Sequence, residues 1–282
     1  MTEQFLNDNE FSLLRLVPTV LRARDFRLYT KNGNRLVDLW QNGGAAVLGH
    51  TPPSVLRELK NTASRGLYAP FPHFYEERYK KALSRIVPGR NFRLYFSPPP
   101  PSLLAAETEN VATLWRPFLD PSAPLAVPEN APPVLIPVVP GIQGWHNNLP
   151  LGLCVLAIDP DFEETASLPP GDFLPPVLLA AAARGIYDLI AAVSRIQPFP
   201  RIAKALKNNR QGWKRQGLYL TPTHTPSPEE WAAVFRRFLE AGFLLPPIPS
   251  QPAILPGILS PGEEAKLAEL LNGNEKTWLP ST

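Results

Sequence analysis

Apolar and polar residues alternate twice in "DFRLYTKNGNRLVDLW" (25–40), once on each side of Asn32-Gly33. A period of two belongs to a half-buried strand, and an Asn-Gly pair between two such runs supplies the backbone of a tight hairpin. The period then changes. "TPPSVLRELKNTASRG" (51–66) spaces its apolar residues for a helix, with Thr51 as expected N-cap, Pro52 in the first turn and Gly66 as stop. A second amphipathic helix is expected in "HFYEERYKKALSRIV" (73–87) and a strand in "FRLYF" (92–96).

The C-terminal part repeats one start signal. "SPEEWAAVFRRFLEAG" (227–242) and "SPGEEAKLAELLNG" (260–273) each open on serine and proline, with glutamate three residues after the serine. In such a capping box, serine hydroxyl and glutamate carboxylate each accept a backbone N–H that the first helical turn leaves without a partner. Between these helices, "GFLLPP" and "PAILPG" read as short strands. The middle of the chain carries "PPVLIPVV", "GLCVLAI" and the helix "PPVLLAAAARGIYDLIAAVSRI", an α/β pattern. The expected organisation is a small domain assembled from residues 1–68 and 201–282 around a central domain, 69–200.

Composition changes this picture in one respect. Of 282 residues 36 are proline, and 18 of those lie between Ser97 and Pro176; average usage is about 5%. Tryptophan, valine and leucine continue through the same stretch, so it reads as packed and loop-rich rather than as a low-complexity tail. The net charge is +3, with Lys and Arg scattered among acids (Arg57, Lys60, Arg236, Arg237), which is no nucleic-acid stripe. The single cysteine, Cys154, excludes an internal disulfide framework and fits a reducing compartment. "VLLAAAA" (177–183) is too short to span a membrane, and "MTEQFLNDNEF" has no basic-then-apolar leader pattern. A cytoplasmic chain without membrane or nucleic-acid partner is expected.

"GIQGWHNNLPLG" (141–152) follows an apolar run directly, the place where α/β enzymes keep reactive groups. Its glycines, proline, Trp145, His146 and two asparagines surround Gln143, which is no nucleophile.

"DFRLYTKNGNRLVDLWQNGGAAVLGHTPPSVLRELK" (25–60) resembles the opening of class III aminotransferases, fold-type-I enzymes that use pyridoxal phosphate. Asn32-Gly33, Asp38, Gly43-Gly44 and Leu48-Gly49-His50 stand in the places of that family's opening phrase. "FLEAGFLLPPIPSQPAILPGILSPGEEAKLAELL" (238–271) is similar to the family's C-terminal small-domain segment. The resemblance implies an α/β, pyridoxal-phosphate-dependent transferase-like (fold type I) architecture, with a reduced large domain plus a small α+β domain formed by both termini. It also implies a homodimer.

The same resemblance locates what is missing. The Schiff-base lysine should stand seven residues before a proline, in a phrase like K-G-x-G-x-G-x-P-x-G; Gly144, Leu149, Pro150 and Gly152 fit, and the lysine position holds Gln143. A glutamine amide cannot condense with an aldehyde. The phosphate-gripping S-G-x-E-A phrase is replaced by "SPPPPSLLAAE", where Pro98 to Pro101 carry no backbone N–H. Asp120, the only aspartate between Ser97 and Gln143, reads as a turn residue, and Ala253 stands where an arginine would clamp a carboxylate. The expectation is a non-catalytic aminotransferase-like protein, binding a small molecule of unknown identity or a partner. It has no cofactor and only a vestigial site at Ser97, Pro98, Gln143 and His146.

Two alternatives use other residues. An active pyridoxal-phosphate enzyme could employ a displaced lysine, Lys204 or Lys207 in a cationic helix, or Lys31 in the hairpin turn. Catalysis without cofactor could pair His146 as base with Cys154 as nucleophile, against the reading of Cys154 as a buried structural residue. His50, His73, His146 and His224 lack metal-ligand spacing, so no metal is expected.

Overall fold

The computed structural model describes residues 12–95, 113–127, 134–136, 145–146, 149–150, 153–161, 168, 170–195, 197–208 and 212–272. The first elements are β1 (Val20–Arg24), β2 (Arg27–Thr30), β3 (Arg35–Asp38), α1 (Pro53–Ala63) and α2 (Tyr75–Leu83). The middle holds β4 (Asn91–Tyr95), β5 (Thr113–Leu114), β6 (Val134–Ile136), β7 (Trp145–His146), β8 (Leu149–Pro150), β9 (Cys154–Ile158) and α3 (Pro176–Ala192). Then come α4 (Pro200–Asn208), β10 (Trp213–Gln216), β11 (Tyr219–Pro222), α5 (Pro228–Glu240), β12 (Phe243–Leu244), β13 (Ala253–Ile254) and α6 (Pro261–Leu271).

Two compact units result: Met1–Gly43 with Arg195–Thr282, and Gly44–Ser194. The first is built from both ends of the sequence. Its main sheet has the order β1-β2-β3-β12, in which β12 joins β3 in parallel with Phe243 opposite Val37. The Asn32-Gly33 hairpin forms as expected, with Gly33 at φ +80°, a value that costs glycine little and a Cβ residue much. A smaller sheet has the order β10-β11-β13. Both capping boxes are formed: Ser227 with Glu230, and Ser260 with Glu263. Inside the unit, Trp213 stacks at a tilt on Trp231 and Phe238, and the Trp231 indole N–H donates to the Pro246 carbonyl at 3.2 Å.

The second unit is centred on α3, whose Ala180 to Ala183 are fully buried. Such small side chains let both α1 and α2 pack on this one helix. Its sheet runs β4-β9-β6-β5, and every residue of β9 is buried. A continuous apolar run without alternation is the signature of such a central strand.

Three expectations need correction. Residues 44–68 group with the second unit, because α1 packs on α3; the boundary falls after Gly43 rather than after residue 68. Thr51 does not cap α1: the helix starts at Pro53, and Pro52 precedes it without a side-chain cap. The residue before a proline is driven to extended backbone, so Pro52 cannot be helical ahead of Pro53. The cationic helix expected around Lys204 and Lys207 is α4, Pro200–Asn208, and the basic stretch beyond it is not all helix: "WKRQGLYLTP" (213–222) forms the β10–β11 hairpin with Gly217 at φ +57°.

Candidate functional site

The edge of the second unit's sheet is where the sequence reading puts the vestigial site of Ser97, Pro98, Gln143 and His146. Strands β4 and β6 both run antiparallel to β9, which lies between them, and β5 runs parallel to β6. Hence β4, β5 and β6 all point one way. In register, Tyr95 at the end of β4 pairs with Cys154, and Ile136 at the end of β6 pairs with Val155. The two strand ends therefore flank the start of β9 at one level, about 10 Å apart at ordinary strand spacing. The chain leaves β4 toward Ser97 and Pro98, and leaves β6 toward Gln143, from the same carboxyl edge. In α/β sheets that edge is the ligand-binding one. Ser97, Pro98 to Pro101 and Gln143 lie outside the described residues. His146 is described by its backbone, paired with Leu149 in the two-residue β7–β8 ladder.

Under this edge lie Cys154, Tyr95 and, from α2, Tyr79, all buried. Burial pushes the Cys154 thiol up to about 12, and the charge of Asp172 acts in the same direction. A thiol so held stays protonated and is no nucleophile at neutral pH. This favours the reading of Cys154 as a buried structural residue over its use as a nucleophile. Burial also raises Tyr79, and its hydroxyl has no hydrogen-bond partner among the described residues. Tyr95 is raised by burial against the opposing effect of Arg93. Arg93 in turn donates to the Leu168 carbonyl at 2.6 Å, and the Asp172 N–H donates to the Leu94 carbonyl at 2.7 Å. Gly171 is tight here: a Cβ on it would lie 3.0 Å from the Leu94 carbonyl oxygen.

The remaining candidates are dispersed. Lys31, Lys204 and Lys207 are exposed, and every other described lysine is exposed too, except the half-buried Lys80, which pairs with Glu76 at 2.7 Å. Asp120 is an exposed turn residue that accepts from the Ser122 N–H and hydroxyl at 2.8 and 2.6 Å. Ala253 is buried in β13, opposite Leu220. His73 stacks on Tyr75, with ring centroids 4.6 Å apart, and its Nδ1 accepts the Tyr75 N–H at 3.3 Å. Among the described residues, no group of three or more His, Cys, Asp or Glu could hold a metal ion. No described helix is long and apolar enough to cross a membrane.

No protein-family profile matches the sequence. An uncharacterized protein of Treponema pallidum (strain Nichols) is 27% identical over 297 residues, taking in 86% of this chain and 91% of that protein. An uncharacterized protein of Borreliella burgdorferi is 37% identical over 70 residues, 25% of this chain and 26% of its own. Among solved structures, ornithine delta-aminotransferase of Plasmodium falciparum superposes with TM-score 0.61 at 12% identity, over 93% of this chain and 92% of its own. An omega-transaminase from Sphaerobacter thermophilus gives 0.62 at 12%, over 90% of each chain. Acetylornithine aminotransferase from Elizabethkingia anophelis gives 0.58 at 12%, over 96% of this chain and 99% of its own. The chain has the fold of these pyridoxal-phosphate-dependent transferases.

Proposed function

With the aminotransferase fold as premise, we propose that this protein is a pseudoenzyme: it does not transaminate, and it serves as a small-molecule-binding or interaction protein. One observation carries the reading. The position that should supply the Schiff-base amine holds Gln143, and no described lysine is buried where it could take over. A working lysine must be sheltered enough to lose its proton near neutral pH, and solvated ammonium groups on flexible stems do not meet that need. The other polar groups under the sheet edge, a protonated thiol and a neutral phenol, form no imine. The residues present therefore do not fit a covalently held pyridoxal phosphate, and no catalytic step is assigned to it.

The direct test is spectroscopic. Pyridoxal phosphate added to the pure protein is expected to give no saturable absorption band that an amino donor discharges. A band that saturates at one equivalent and bleaches with the donor would overturn the reading in favour of a displaced lysine.

The protein is also proposed to be a homodimer. Tyr68, Phe71 and Phe74 in the α1–α2 connection, and Phe173 ahead of α3, are 53–69% exposed. The Val177 N–H donates to the Leu67 carbonyl at 3.3 Å, which sets these two segments side by side. So many exposed aromatics on adjoining segments favour a protein partner, and a second copy meets that need. Buried Cys154 as sole cysteine and the absence of a membrane-length helix among the described residues support a cytoplasmic location.

A further inference from the structure

In the first unit, buried Asp38, Gln41 and Gln251 belong to one hydrogen-bonded group around Trp40. Asp38 Oδ1 accepts the N–H of Trp40 and of Gln41, both at 2.8 Å. The Trp40 indole N–H donates to Gln251 Oε1 at 3.0 Å, and Gln41 Nε2 donates to the Ile254 carbonyl at 3.0 Å. The Ile254 N–H donates back to the Leu39 carbonyl at 2.6 Å. Residues 38–41 and 251–254 are thus laced together, and each glutamine amide spends one end on the lacing.

The other ends are left over. Gln41 Oε1, an acceptor, and Gln251 Nε2, a donor, have no partner among the described residues, although the two residues are only 0% and 4% exposed. They do not bond to each other. Native interiors leave few such atoms, and here two of opposite kind belong to one group.

We propose that Gln41 Oε1 and Gln251 Nε2 form a subsite for a small uncharged ligand group with one donor and one acceptor, a carboxamide or an alcohol. The charge preference follows from the surroundings. Among the described residues no lysine or arginine is buried, so a carboxylate would trade its hydration for one amide N–H in the same group as the buried Asp38. An ammonium has no acceptor and would leave Gln251 Nε2 unsatisfied. The assignment stands whether or not the chain transaminates.

The test uses the whole protein and three small probes: acetamide, acetate and methylammonium. The side-chain amide signals of Gln41 and Gln251 are followed by NMR as each is added. Acetamide is expected to shift both saturably, with acetate and methylammonium about tenfold weaker or more. Gln251→Glu keeps an acceptor for the Trp40 indole and removes the leftover donor; it is expected to weaken acetamide by about tenfold or more. The probe series on the unsubstituted chain needs no variant to fold. Equal response to all three probes, no saturable response, or a bound water at Gln251 Nε2 that acetamide does not displace would each overturn the proposal.

Discussion

Glu263 shows how one side chain ties distant sequence together. Its carboxylate accepts from Arg27 Nε at 2.9 Å and Nη2 at 2.5 Å, from the Ser260 N–H at 2.9 Å, and lies 3.5 Å from Arg35. Burial alone would raise it, but the Arg27 and Ser260 hydrogen bonds and the guanidinium charge outweigh burial and bring it down to about 2. A lowered carboxylate pKa stabilises the fold fully above its unfolded value of 4.5, and that contribution fades as pH falls from 4.5 toward 2. After allowance for solvent screening, Glu263→Gln is expected to cost about 1–2 kcal/mol at neutral pH and to flatten acid unfolding in that window. Urea titrations at several pH values check both. Cys154 gives a second test at this scale: native protein is expected to resist alkylation at pH 8 and to react once unfolded, as mass spectrometry reads directly. The assignment of Gln143 to the lysine position rests on the frame that Pro150 and the glycines supply in the sequence, and residue 143 lies outside the described residues. Gln41 and Gln251 as a pair were not legible, because a glutamine in the sequence says nothing about which of its amide atoms will find a partner.

Helices α5 and α6 were legible nearly to the residue, since a capping box is a local device that needs no tertiary contact. Each box is expected to carry about 1 kcal/mol, so Ser227→Ala and Ser260→Ala should each lower stability by that much, and the pair additively. Calorimetry of the three variants tests this. Strand β1 and the β10–β11 hairpin were missed for the opposite reason: "VLRAR" and "WKRQ" owe their conformation to their pairing with β2 and β11, not to strong alternation. In α3 the alanine run reads as a helix, but only packing shows why it is small. Ala182→Leu is expected to cost about 1–3 kcal/mol by overpacking, read as a lower midpoint in urea.

At the scale of the molecule, the sequence pattern of hairpin at one end and helix, strand, helix at the other already implied a unit made from both termini. The parallel β3–β12 pair is that closure. The exact boundary was out of reach, because α1 is equally amphipathic whichever unit it packs on. If the exposed aromatics around Phe71 and Phe74 meet a second copy, light scattering at micromolar concentration should return twice 31.2 kDa, and Phe74→Glu should return one copy; a monomer before substitution would refute the dimer. The proposed loss of transamination rests above all on the absence of a sheltered, imine-forming lysine among the described residues. Pyridoxal phosphate is incubated with the protein, reduced with borohydride, and the tryptic peptides are mapped by mass spectrometry. Low, scattered labelling of surface lysines such as Lys31, Lys204 and Lys207 is expected. One cofactor per chain on a single lysine, formed fast and at near-stoichiometric concentration, would contradict it.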